Sequence, residues 1–178
     1  GESVETAIPV FKRTFSEIAK RAEANGVRIA FENCLQGGTW KNATRNIAFH
    51  PKAWEMMFHE VPSESLGLEW EPAHQIAQLI KPTKQLKLWA DKIFHVHGKD
   101  ANINAQYIMK YGVYGDGYIT QYCYPGDGTT NWSTIMQILK NAGYQGSIDI
   151  EPCKNPEYSG QREEDVLGRS LRYLKDCR

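Results

Sequence analysis

Two histidines, His95 and His97, stand at alternate positions in a short apolar run near the middle of the chain. Alternate side chains of a β-strand lie on the same face, so both imidazoles are expected on one face of a single strand. Gly98 ends the run and leaves His97 at the rim of the predicted strand. A neutral imidazole is a common metal ligand, so the pattern indicates a ligand at His97. His95 lies two residues deeper, where an interior histidine held by a hydrogen bond is expected.

Three further apolar runs end in a carboxylate, at Glu32, Glu71 and Glu151. Three carboxylates and one imidazole make a mostly oxygen site, which suits Mn²⁺ or Mg²⁺ and can also bind Co²⁺ or Zn²⁺. Glu69 shares the inward face of Glu71, so it is either a buried acid beside the site or a competing ligand. Four strand ends that each offer a ligand predict a metal site more specifically than any one of them.

The composition excludes several classes of protein. The 178 residues are enough for one domain with a sizeable core. Lys plus Arg and Asp plus Glu are equal at 21 each, with no basic run, which argues against a nucleic-acid partner. No stretch approaches about 18 apolar residues and no signal-peptide pattern is present, so a soluble protein without a membrane partner is expected. The cysteines lack CxxC spacing and are interpreted as reduced thiols of a cytoplasmic protein.

Helical and strand patterns alternate along the chain. Apolar spacing and capping residues predict helices over 3–24, 51–60, 72–80, 82–89, 131–141 and 163–175, and strands over 27–32, 66–71, 92–97 and 146–151. Such alternation is typical of parallel strands joined by right-handed crossovers, hence of an α/β protein. The four candidate ligands then lie at the carboxyl ends of their strands, where α/β proteins bind their ligands.

Five stretches of this chain carry a family resemblance. They are residues 31–34, 67–74, 94–100, 125–132 and 142–151. In order and spacing the sequence resembles the xylose-isomerase-like TIM-barrel superfamily of sugar and sugar-phosphate isomerases and epimerases, to which endonuclease IV-type DNA-repair enzymes also belong. The resemblance implies a (β/α)₈ barrel fold and a small-molecule sugar or sugar phosphate as the substrate.

The resemblance also implies a catalytic site. One divalent ion is expected on Glu32, Glu71, His97 and Glu151, although Glu71 stands where the family usually has aspartate. Such an ion grips the carbonyl and hydroxyl of a ketose and stabilises an enediolate. The resemblance assigns the two proton transfers to Glu32 and Glu151.

Three more residues are predicted to contact the substrate. His74 follows Glu71 by three residues, where related enzymes use a histidine for substrate or a further metal, and Lys99 and Asp100 follow His97. The expected function is therefore a metal-dependent sugar isomerase or epimerase. Two alternatives remain: a metal phosphodiesterase of the endonuclease IV type, and a non-catalytic sugar-binding module. The tyrosine-rich segment 101–130 is expected either to wall a sugar pocket or to form a surface loop or oligomer contact.

The number of predicted strands is half that of a barrel. A complete (β/α)₈ barrel needs eight units and about 250 residues, whereas four strands are predicted here. We therefore expect residues 1–178 to form a single domain, the C-terminal half of a barrel. Because an isolated half would expose sheet edges and apolar side chains, we expect it to pair with the N-terminal half or with a second copy.

Overall fold

A computed structural model describes residues 2–43, 45–153 and 158–178. Its helices are α1 (Val4–Ala24), α2 (Pro51–Glu60), α3 (Ala73–Ile76), α4 (Pro82–Trp89), α5 (Ala105–Tyr111), α6 (Trp132–Asn141) and α7 (Gln161–Asp176). Its strands are β1 (Ile29–Glu32), β2 (Leu66–Trp70), β3 (Ile93–Gly98), β4 (Asp100–Ile103), β5 (Thr120–Cys123) and β6 (Ile148–Ile150). The four strands predicted from the sequence are thus present as β1, β2, β3 and β6.

The chain divides into two compact units, Gly1–Trp70 with Asp91–His95, and Glu71–Ala90 with Val96–Arg178. In the first unit, β1 and β2 pair in parallel, with Glu32 opposite Glu69. The Ser3 hydroxyl caps α1 by accepting a hydrogen bond from the Thr6 amide at 3.3 Å. The parallel pairing confirms the α/β character expected from the alternating pattern.

In the second unit, the end of β3 pairs in parallel with β6, with His97 opposite Asp149. This register carries the chain past Ile150 and leaves Glu151 at the carboxyl end of β6. Trp132, Ile135 and Leu139 on one face of α6 are buried, because they recur at helical spacing on its apolar side. The parallel pairing with β3 therefore positions the end of β6.

The segment 101–130, in which no helix or strand is predicted from the sequence, contains regular elements. Together with Asp100 it forms an antiparallel hairpin, β4 with β5, and the short helix α5 lies between the two strands. Asp100 pairs with Cys123 and Ala101 with Tyr122. Strands of four residues are too short to show a clear period, which is why the sequence pattern did not reveal this hairpin. The hairpin matters because it directs Tyr122 toward the candidate site described below.

None of the described helices combines the length and the apolar character that crossing a membrane would require. Cys34, Cys123, Cys153 and Cys177 are not joined by disulfide bonds. That residues 1–178 form a single domain stays a prediction.

The thiol of Cys123 is expected to resist alkylation in the folded protein. It is buried on β5, and burial, with the neighbouring Asp100 charge as a second cause, raises the pKa of Cys123 to about 12. Because the thiolate is the reactive form, we expect Cys123 to react with iodoacetamide at pH 8 at least about 10²-fold more slowly than the same thiol in urea. Peptide mass spectrometry gives the rate, and the partly exposed Cys177 is the internal control. Equal rates at Cys123 and Cys177 in the folded protein would contradict this.

Candidate active site

Glu151 and His97 meet at the carboxyl ends of β6 and β3. The Glu151 amide donates a hydrogen bond to the Gly98 carbonyl at 3.3 Å, which continues the parallel pairing by one residue. This places the Glu151 Oε2 atom 3.4 Å from His97 Nδ1. Both side chains are partly buried, so the pair lies at the rim of the strands and not in the core. Two of the predicted ligands therefore lie side by side.

Lys99 brings a positive charge to the same carboxylate. Its Nζ atom lies 2.7 Å from Glu151 Oε1 and 3.8 Å from Glu71 Oε1. Glu71 is fully buried, and a buried carboxylate is costly unless a positive charge or hydrogen-bond donors compensate it. The ammonium of Lys99 thus compensates two carboxylates at once and holds them near a common point.

These contacts keep Glu151 ionised. Burial acts to raise the pKa of Glu151, but its contacts with His97 and with the Lys99 ammonium outweigh burial, and the pKa lies below its usual range. A carboxylate that stays deprotonated at neutral pH can bind a cation or accept a proton from a substrate.

His74 lies in α3 and contacts Glu71, which precedes the helix. Its Nε2 atom lies 2.5 Å from Glu71 Oε1. The other ring nitrogen, Nδ1, lies 3.1 Å from the Tyr122 hydroxyl on β5. The imidazole of His74 therefore lies between the buried carboxylate of Glu71 and the β4–β5 hairpin.

Asp100 has different surroundings. Its carboxylate accepts hydrogen bonds from the Ala101 amide at 2.8 Å, the Thr130 amide at 3.2 Å, the Thr130 hydroxyl at 2.5 Å and the Trp132 indole at 3.1 Å. A Cβ atom at Gly128 would collide with this carboxylate, so the loop can close over Asp100 only with glycine there. Burial raises the pKa of Asp100 even though these hydrogen bonds act to lower it. Asp100 thus organises the loop before α6, and its predicted contact with substrate stays a prediction.

Replacing Asp100 by asparagine is expected to destabilise the fold by about 1–3 kcal/mol. Asparagine turns one acceptor oxygen into a donor, which then faces the Trp132 indole or the Thr130 donors and leaves a buried polar group unsatisfied. Urea unfolding of Asp100→Asn against the wild type measures the change, and the exposed Asp91→Asn serves as the matched control. An unchanged midpoint in Asp100→Asn would show that these hydrogen bonds add nothing to stability.

In the first unit, Glu32 ends β1 and is partly buried. Asn46 fixes the chain just beyond it, because its amide donates hydrogen bonds to the Glu32 carbonyl at 2.9 Å and to the Cys34 carbonyl at 2.7 Å. His95 lies 3.9 Å from Glu69 through Nε2 and Oε1, and both side chains are only partly buried, so His95 is less interior than expected. The assignment of Glu32 to the metal stays a prediction.

The donors of the second unit fit a divalent cation. Glu71, His97 and Glu151 supply two carboxylates and an imidazole, a donor set typical of hard and borderline metals. Both carboxylates also lie within 3.8 Å of the Lys99 ammonium, which balances part of their negative charge. The charges of Glu71 and Glu151 are thus balanced in part by Lys99, which is not one of the predicted metal ligands.

Comparison with known proteins decides the family. A family model described as the xylose isomerase-like TIM barrel matches residues 1–177. The chain belongs to this family. The family assignment and the TIM-barrel fold class that the sequence resemblance implied are thereby confirmed.

Proteins similar to this chain include sugar-modifying enzymes. Inosose dehydratase of Clostridium botulinum (strain Alaska E43 / Type E3) is 23% identical over 170 residues, which is 90% of this chain and 51% of that protein. The IolI protein, whose crystal structure contains a bound zinc atom, has a TM-score of 0.68 and 21% identity over 99% of this chain and 58% of its own. The 3-keto-D-glucoside 4-epimerase YcjR of E. coli has a TM-score of 0.67 and 14% identity over 99% of this chain and 56% of its own.

The chain spans about half the length of the curated relatives that it matches, between 41% and 51% of the first three.

Two residues near the predicted site residues were not predicted from the sequence. Tyr122 contacts His74 from an unpredicted hairpin, and Asn46 fixes the chain after Glu32 from a loop. Neither residue belongs to a motif, and only their position in the fold reveals them.

Proposed function

We propose that this chain provides the metal-binding and proton-transfer residues of an enzyme that acts beside the carbonyl group of a sugar or sugar phosphate, as an isomerase or epimerase. The observation that carries the proposal is the carboxylate of Glu151, held ionised between His97 and Lys99 and close to the buried Glu71. Membership in the xylose isomerase-like family supports it, as do relatives named as an epimerase and as dehydratases.

The cofactor of the proposed enzyme is one divalent ion. Glu71, His97 and Glu151 of the second unit would hold it, and Glu32 of the first unit is assigned to the same ion by family resemblance. When bound, the ion supplies Lewis acidity that polarises the substrate carbonyl. The oxygen-rich donor set favours Mn²⁺ or Mg²⁺, while Co²⁺ or Zn²⁺ also suit it.

The residues of the chain carry out the proton transfers. A Glu151 oxygen takes the proton from the carbon next to the carbonyl, and the electron pair of the broken C–H bond moves toward the carbonyl oxygen. The Lys99 ammonium, 2.7 Å from Glu151 Oε1, stabilises the negative charge that develops on the substrate. Glu32 is proposed to return a proton, and His74 and Asp100 remain predicted substrate contacts.

Dehydration is the second candidate reaction, and the match to inosose dehydratase favours it. Removal of the same α-proton begins both reactions, but a dehydratase then expels a hydroxyl group from the next carbon. The residues described above serve this first step in either case. The product formed from the substrate therefore distinguishes isomerisation or epimerisation from dehydration. The residues of the site do not distinguish them, because both reactions begin with the same proton transfer.

Incubation of the full-length, Mn²⁺-loaded protein in D₂O with a panel of inososes, 3-keto-glucosides, ketohexoses and ketose phosphates tests the proposal. An isomerase or epimerase returns a sugar of unchanged formula that carries solvent deuterium, whereas a dehydratase yields a product that has lost water. Mass spectrometry and NMR identify both. Absence of exchange and of conversion across the panel would contradict the proposed function.

One divalent ion per chain is expected after dialysis against chelator and reloading with Mn²⁺. The physical reason is that the proposed set, three carboxylates and one imidazole, supplies the donors of a single ion. Elemental analysis measures the ratio. Three ions per chain would favour a phosphodiesterase of the endonuclease IV type, and none would favour a sugar-binding module. Pairing with an N-terminal half or a second copy stays a prediction.

A further inference from the structure

The peptide bond between Glu32 and Asn33 is held from both sides at the end of β1. On one side, the Asn33 amide donates a hydrogen bond to the Glu69 carbonyl of β2 at 3.1 Å. A peptide bond is planar and trans, so the Glu32 carbonyl points the opposite way, out of the edge of β1 that faces away from β2. There it accepts a hydrogen bond from the side-chain nitrogen Nδ2 of Asn46 at 2.9 Å. Asn46 thus donates where the backbone of a neighbouring parallel strand would donate.

The same nitrogen holds a bend in the chain immediately after Glu32. An amide nitrogen carries two hydrogens, and Nδ2 of Asn46 also donates to the Cys34 carbonyl at 2.7 Å. Two oxygens this close to one nitrogen cannot lie as far apart as the carbonyl oxygens of residues i and i+2 in an extended strand, about 6.4–6.8 Å. The strand therefore ends at Glu32, and the Asn46 side chain holds the bend that ends it.

Asn46 is itself anchored on the loop before α2. Its Oδ1 atom accepts a hydrogen bond from the Ala48 amide at 2.9 Å, two residues further on, as in an Asx turn. The Ala48 carbonyl accepts a hydrogen bond from the Trp54 indole at 2.5 Å, and Trp54 is a fully buried residue of α2. The Asn46 amide is thus connected to the core of the first unit, and it cannot turn away from Glu32 without breaking these contacts.

The backbone at Glu32 determines where its side chain starts. Rotation about the bond between Cα and the carbonyl carbon of Glu32 would turn the peptide plane and break the hydrogen bond to Glu69 or the one from Asn46. Holding both ends of the peptide therefore fixes the direction in which the Glu32 side chain leaves β1. This matters for a ligand, because a functional group must be held within about 0.5 Å of its working position.

We propose that Asn46 is a positioning residue for Glu32: by bonding the Glu32 and Cys34 carbonyls, it holds the backbone in the conformation from which the Glu32 carboxylate ligates the ion. The ligation itself rests on the proposed function. Asn46 acts on the backbone alone, so the proposal requires no contact of Asn46 with the ion or the substrate.

Amide hydrogen exchange in the full-length, metal-free protein, followed by NMR, tests the backbone part of the proposal. In Asn46→Ala we expect the Asn33 amide to exchange at least about 10-fold faster than in the wild type, because one side of its peptide is released. The Ile29 amide, which bonds to the Ser65 carbonyl at the other end of β1, should keep its rate. Asn46→Asp removes the donor but keeps the acceptor, so it should speed exchange at Asn33 and leave the Ala48 amide protected.

Mn²⁺ affinity, measured by electron paramagnetic resonance, tests the ligand part. We expect Asn46→Ala to weaken binding by about 10-fold or more, since residues that orient a ligand typically contribute about 10- to 100-fold. The same substitution in a Glu32→Ala background should cause no further loss, because no carboxylate is then left to position. A merely structural role of Asn46 would lower the affinity in both backgrounds.

Asn25→Ala is the matched control for both measurements. Asn25 is exposed, and its Nδ2 atom donates to the Arg21 carbonyl at 2.8 Å, at the C-terminal end of α1. The substitution removes the same kind of hydrogen bond, but it lies before β1, whereas Glu32 ends that strand. Exchange at Asn33 and Mn²⁺ affinity should both stay as in the wild type.

Two results would overturn the proposal: an unchanged exchange rate of the Asn33 amide in folded Asn46→Ala, or an equal loss of Mn²⁺ affinity with and without the Glu32 carboxylate. Unchanged affinity in Glu32→Ala would instead refute the assignment of Glu32 to the ion, and a wild-type protein that binds no metal would refute the proposed function. The exchange measurement needs no metal, so in either case it still decides whether Asn46 holds the backbone at Glu32.

Discussion

Replacing Glu151 by glutamine is expected to lower turnover of the full-length, metal-loaded protein by at least about 10²-fold. Glutamine keeps the shape of the side chain and a carbonyl oxygen that can still ligate a cation, but its amide cannot accept a proton at neutral pH. The contacts of Glu151 with His97 and Lys99 hold its pKa below the usual range, so the wild-type carboxylate is deprotonated before the reaction begins. Initial rates of deuterium exchange, with a sugar that the wild type exchanges, provide the measurement.

The control for Glu151→Gln is Glu64→Gln, since the Glu64 side chain is 99% exposed. Manganese content is measured in each variant, so that a loss of metal is not counted as a loss of base. Near-normal exchange in a metal-loaded Glu151→Gln protein would show that another group removes the proton. The same substitution at Glu32 then tests whether two carboxylates divide the task, because a two-base mechanism requires both variants to lose turnover.

Replacing Lys99 by methionine is expected to lower turnover by about 10²-fold, the scale associated with loss of one donor to a developing negative charge. Methionine retains the length and apolar stem of lysine but removes the ammonium that lies 2.7 Å from Glu151. Lys99→Arg should retain part of the activity, because it keeps a positive charge without the same geometry. Added methylamine should partly restore turnover in Lys99→Met by supplying an ammonium group to the vacated position.

Lys99→Met also leaves the buried Glu71 without the nearby ammonium, so the folded fraction of each variant is checked by circular dichroism before rates are compared. The exposed Lys84→Met is the matched control. Normal turnover in a folded Lys99→Met protein would contradict the electrostatic role of Lys99. Loss of turnover in Lys99→Met that methylamine leaves unchanged would indicate a structural role instead.

Much of the fold could be predicted because its signals are local. Apolar residues at a period of 3.6 mark one face of α6, and short apolar runs mark β1, β2, β3 and β6. The ligand positions followed from the same runs, since parallel strands end on one side of a sheet. His97 and Glu151 are the clearest example, because the register of β3 and β6 places them side by side.

The hairpin could not be predicted in this way. β4 and β5 are four residues each, too short to show a period, and their pairing joins positions about twenty residues apart. Such pairing depends on contacts distant in sequence, which a local period does not report. The sequence alone therefore does not distinguish Tyr122 from the other tyrosines of segment 101–130. Its contact with His74 exists only once the hairpin has formed.

Asp100 and Lys99 illustrate the same division. The sequence places both next to His97 and marks them equally as polar residues at a strand end. In the folded chain their surroundings are opposite, because successive side chains of an extended backbone point to opposite sides. Lys99 contacts Glu151, whereas the Asp100 carboxylate is enclosed by the donors of Thr130 and Trp132. Residue types and spacing thus specified the α/β class, the strand ends and the chemistry available there. Packing between distant segments decided the partner of each polar group, because burial and hydrogen-bond geometry exist only once those segments meet.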